Sequence, residues 1–63
     1  MKSLVVSKLI TGGHVRLWKC DSAPWHYEVI VYRPSTSSQT EDVATWSAYI
    51  TLEDAQEAFE SWR

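Results

Sequence analysis

The chain has a single cysteine, Cys20, among 63 residues, so no disulfide can form within it. No cluster of Cys and His at zinc-binding spacing replaces one, which leaves a domain of this size without either usual staple. Apolar runs are short. None approaches the roughly 20 residues that span a bilayer, and the opening block Leu4–Ile10 is too short for a signal peptide. Glycine is limited to the pair Gly12-Gly13, with no GxGxxG and no P-loop, so the pair reads as a turn and not as a phosphate cradle. No Ser-His-Asp arrangement, nucleophile elbow or paired carboxylates in a cleft can be picked out. A chain this short also struggles to enclose a pocket of about 300 Å³. The expectation is one soluble, cytoplasmic domain over residues 1–63, not an enzyme, with no cofactor and no metal.

Aromatic mass is what the chain has in compensation: four Trp, three Tyr and one Phe, each able to bury roughly 150–250 Å². The net charge of −2 hides a division. Residues 1–33 carry five cations and two anions, whereas residues 34–63 carry one cation and six anions. Such asymmetry suits a charged partner.

Hydrophobic patterning predicts strands over Leu4–Ile10, Val15–Cys20, Trp25–Arg33 and Val43–Ile50, with a short helix or an irregular arm as the alternative for the first. In the third, Trp25, Tyr27, Val29 and Val31 alternate with His26, Glu28, Ile30 and Tyr32. In the fourth, Ala44, Trp46, Ala48 and Ile50 are expected to face the helix, with small residues leaving it room. Pro34–Asp42 has almost nothing apolar to bury and reads as a mobile surface loop. From Thr51 the period changes. Leu52, Ala55, Ala58, Phe59 and Trp62 recur at spacings of three and four, so they share one helical face. Thr51 is the expected N-cap, with Asp54 in the capping-box position. The fold expected is α+β: an antiparallel sheet of three to four strands, order β-β-β-β-α, with one C-terminal amphipathic helix packed on one face.

Two sets of residues are candidates for chemistry. His14, Cys20 and His26 invite a nucleophilic or metal reading, but alternation puts His14 and Cys20 roughly 20 Å apart on one strand. They read as packed strand residues. The sharper set is acidic. Glu53, Glu57 and Glu60 lie about 6 and 4.5 Å apart along the helix axis, flanked by Asp54. With Glu41 and Asp42 they are expected to form a strip able to occupy a groove lined with Lys and Arg. Trp25 and Tyr27, expected on the open sheet face, are the alternative anchors, since buried aromatics dominate affinity.

The segments Ser7–His14 and Tyr27–Pro34, in a small domain with an acidic helix, resemble phage-encoded anti-CRISPR proteins, in particular the short inhibitors aimed at type I systems. The resemblance implies a stoichiometric inhibitor, a monomer or homodimer. It would bind a Cascade subunit or Cas nuclease and block target-DNA access without binding nucleic acid directly. Two other readings stay open: a structural or adaptor domain acting as a homodimer, and a weak nucleic-acid binder using Arg16, Lys19 and Arg33.

Overall fold

The computed structural model describes residues 1–21, 24–34 and 41–63, Glu41 by its backbone alone. Strands β1 (Lys2–Ile10), β2 (Gly13–Cys20), β3 (Tyr27–Pro34) and β4 (Glu41–Tyr49) are followed by helix α1 (Leu52–Ser61). The strands form one antiparallel sheet in the order β1-β2-β3-β4, a simple meander. The protein is α+β, with α1 laid over β2, β3 and β4.

Aliphatic residues decide which face α1 covers. Val15 and Leu17 on β2 stand in register with Val31 and Val29 on β3. Together with Ala55 and Phe59 of α1 they make the buried core. Each aliphatic side chain so buried contributes roughly 1.5–3 kcal/mol. Ile10, Tyr27, Tyr49, Ala58 and Trp62 pack around this cluster, half-buried. The helical face expected from the spacing of apolar residues is the face that packs, although Leu52 at its start stays exposed. Thr51 caps α1, its Oγ1 accepting from the Asp54 N–H at 3.3 Å.

Gly12, in the two-residue link between β1 and β2, and Gly13, which opens β2, are needed for different reasons. Gly12 alone among the described residues takes a positive φ, 81°, which a residue with a Cβ adopts at a cost. Gly13 has ordinary dihedrals, but a methyl there would collide with the Tyr32 carbonyl oxygen.

Both edge strands are irregular. A bulge at Val5 puts Leu4 opposite Trp18 and Val6 opposite Leu17, so two residues of the same parity fall on different faces. A second irregularity leaves Ala44 out of register between Val43, opposite Tyr32, and Thr45, opposite Val31. This corrects the expected orientation of β4. Trp46 pairs with Ile30 on the side away from α1, and it is Tyr49 that packs against the core. The expected loop is shorter than Pro34–Asp42. Pro34 ends β3, Glu41 and Asp42 begin β4, and residues 35–40 of that expectation lie outside the described residues.

Candidate functional site

Glu53, Asp54, Glu57 and Glu60 are all exposed on the outer side of α1. Glu53 and Asp54 lie in the first turn, where negative charge favours the helix dipole. No basic residue balances them in the last turn. Lys8 reaches α1 without pairing with their carboxylates. The Lys8 ammonium sits 4.8 Å from the centre of the Phe59 ring and donates to the Glu60 backbone carbonyl at 3.4 Å. Between α1 and β4 a shallow cleft of about 380 Å³ is lined by Tyr49, Asp54, Glu57, Ala58 and Ser61.

The acids at the start of β4 stand apart from those of the first turn of α1. α1 begins just after Tyr49, whereas Glu41 and Asp42 lie at the other end of β4, about 23 Å away at the rise of an extended strand. Asp42 is exposed and in register with Arg33. The four helix acids stand together; Asp42 does not join those of the first turn.

The sheet face away from α1 is not bare. Five rows cross it: Pro34 with Glu41; Leu9, His14, Tyr32 and Val43; Ser7, Arg16, Ile30 and Trp46; Leu4, Trp18, Glu28 and Ala48; and Lys2 with Cys20. Polar and aromatic groups bond laterally along and between these rows. His14 stacks on Tyr32 with ring centroids 5.0 Å apart, and the Arg16 guanidinium lies 4.9 Å from the same ring. The Trp18 indole N–H donates to the Tyr32 hydroxyl at 3.2 Å. The Lys2 ammonium lies 5.4 Å from the Trp18 ring and makes a 3.1 Å ion pair with Glu28. Trp25 donates its indole N–H to the other Glu28 oxygen at 2.8 Å and meets Trp46 edge to face. Beneath this layer Ile30, Glu28 and Cys20 are buried.

The two buried titratable groups here respond in opposite directions. Burial pushes the Glu28 carboxyl up, but the hydrogen bonds from Trp25 and Lys2 and the Lys2 charge outweigh it, and the net shift is downward. Burial, followed by the Glu28 charge, pushes the Cys20 thiol up. A thiol held protonated is a poor nucleophile.

Of the two aromatic anchors expected on the open face, one is there. Trp25 belongs to that layer through Glu28 and Trp46. Tyr27 does not: it packs with the core on the side of α1, because residues 24–26 turn before β3 begins and break the alternation that linked the two. Arg16 lies on the outer face, whereas Lys19 and Arg33 share the parity of Leu17 and Val31 on the helix side. His14 and Cys20 sit on one face of β2 as expected, and His26 is exposed beyond its end. Among the described residues no three His, Cys, Asp or Glu come together as a metal site, and no helix is long and apolar enough to cross a membrane.

The residues the sequence left unmarked are Lys2, Glu28 and Tyr32. Their signal was available only through register, since each is unremarkable in its own strand. The chain matches no family model, no curated protein and no solved structure. The fold and these two surfaces therefore carry the functional argument.

Proposed function

We propose that the protein is a non-enzymatic binding protein whose acidic helix face occupies a basic surface on a protein partner. Following the resemblance in its sequence, the partner is a CRISPR effector subunit or nuclease, and binding obstructs target-DNA access in the cytoplasm of the host. One observation supports this reading above others. Glu53, Asp54, Glu57 and Glu60 are exposed, and no ion pair among the described residues engages their carboxylates, whereas Glu28 is both buried and paired. A partner gains the full charge complementarity of such a face, in steering and in register.

The test is to mix the tagged protein with purified type I effector complexes and measure association by size exclusion and by inhibition of target-DNA binding. The double variant Glu57→Lys, Glu60→Lys keeps the packed side of α1 intact. It should weaken association more than about tenfold, since like charges then meet across the interface. Undiminished association would remove the acidic face from the proposal, and no association of the native chain with any effector would remove the partner class.

A further inference from the structure

We infer that the sheet face away from α1 is a docking surface for single-stranded nucleic acid. The inference does not rest on the acidic helix, which lies on the opposite side of the molecule.

The exposed acids of α1 share their side of the molecule with Lys8, Lys19 and Arg33, and the outer sheet face carries Lys2 and Arg16. On that outer face Glu41 stands apart in an end row, opposite Pro34; the other rows hold Lys2 and Arg16, and their carboxylate Glu28 is buried and paired to Lys2. In these other rows a polyanion therefore meets Arg16, which no carboxylate among the described residues engages, and Lys2, while α1 repels it. The cations are also held in place. Arg16 over Tyr32 and Lys2 over Trp18 are cation–π pairs at 4.9 and 5.4 Å, a contact made through the ring face that leaves N–H donors available to phosphate.

The aromatic component fits bases. Trp46 is 47% exposed although it stands in the middle of a strand and against Trp25. It offers a stacking surface at one end of the row that runs through Ile30 and Arg16 to Ser7. Three strand spacings make this row about 14 Å long, the width over which the four-stranded sheets of RNA-recognition modules stack two or three bases. At the Ser7 end a cleft of about 410 Å³ is lined in part by Ser7, His14 and Arg16, a hydroxyl and nitrogen donors suited to a phosphate. The face is broad and presents rings. Rings need unstacked bases, which a duplex does not offer, so the occupant is single-stranded.

The experiment is titration of the full chain with short labelled single-stranded DNA and RNA at low salt, read by anisotropy and by quenching of tryptophan emission. A duplex of the same sequence is run in parallel. Trp46→Ala should weaken single-strand binding about five- to 150-fold, the range of one lost base stack. Arg16→Gln should weaken it and lower the dependence of log affinity on log salt by about 0.7, the loss of one phosphate contact. Circular dichroism checks that each variant is folded. Arg16→Gln removes no core side chain and carries the test if Trp46→Ala does not fold. Glu57→Lys with Glu60→Lys should not weaken the titration. The inference is overturned by no anisotropy change at low salt, by binding that neither sheet variant weakens, or by duplex binding as tight as single-strand binding.

Discussion

The Lys2 ammonium and the Glu28 carboxylate, on β1 and β3, are 3.1 Å apart and reach each other across β2. Trp25 completes the site from beyond the end of β2, so one buried carboxylate ties together three segments. Replacing Glu28 with Gln keeps an acceptor for Trp25 but discards the ion pair. The expected loss is about 1–3 kcal/mol near neutral pH, the range for a hydrogen-bonded buried group deprived of its charge partner. The Glu28 carboxyl is lowered in the folded protein from an ordinary 4.5. Its contribution is therefore complete above that ordinary value and lost as pH falls through the folded one. Urea denaturation of both proteins across this range should show the gap closing in acid. A gap that is constant with pH would mean that the Glu28 charge is not what stabilises the site.

The two glycines of the first hairpin separate two causes that are usually confounded. Gly12 needs freedom at φ 81°, and alanine there should cost roughly 1–2 kcal/mol from left-handed strain. Gly13 needs space, because an added methyl runs into the Tyr32 carbonyl oxygen, a backbone atom held in the β2–β3 ladder. Gly13→Ala must displace β3 or break its pairing, and should be the more damaging of the two in a thermal melt. Equal melting temperatures for the two variants would show that the close approach of Gly13 to Tyr32 is easily relieved.

The element order, the cap at Thr51 and the packed side of α1 were legible because each rests on local signals: alternation, a capping residue, and spacings of three and four. Register was not local. Val5 and Ala44 stand out of register and shift the faces of the edge strands, and nothing in their side chains announces it. Trp46 was expected under α1 and is found beside Trp25 because its pairing with Ile30 sets its face, and Tyr27 is the reverse because residues 24–26 break the alternation before β3. The acids of α1 were visible because a helix displays its own periodicity. The outer layer of the sheet was not, because Lys2, Trp18, Glu28 and Tyr32 come from three strands and acquire their meaning only side by side.

Cys20 provides a chemical probe of that layer. It is buried, and burial and the Glu28 charge both hold its thiol protonated. Reaction with a thiol reagent at neutral pH should be much slower in the native protein than in urea, and limited by opening of the fold. Glu28→Gln should speed native labelling, since it removes one of the causes that raise the thiol and loosens the Lys2 contact over it. Labelling as fast in the native state as in urea would mean that the Trp25 and Lys2 layer does not cover Cys20 in solution.

The attachment of α1 is the weakest part of the energetics, because a ten-residue helix gives the core only two buried side chains, Ala55 and Phe59. A 63-residue domain has a total stability of roughly 3–9 kcal/mol at the usual value per residue. Phe59→Ala removes a ring packed among Val15, Leu17, Val29 and Val31 and leaves Lys8 without its aromatic partner. At the usual cost of about 3–5 kcal/mol it should leave much of the population unfolded. Trp62 is larger but half-buried, and its part in ending the helix is a backbone bond from its N–H to the Phe59 carbonyl, which alanine retains. Trp62→Ala should therefore cost less than Phe59→Ala and remain folded. Urea midpoints followed by circular dichroism rank the two directly. A lower midpoint for Trp62→Ala would place the anchor of α1 at its last turn and reassign the seat of the helix on the sheet.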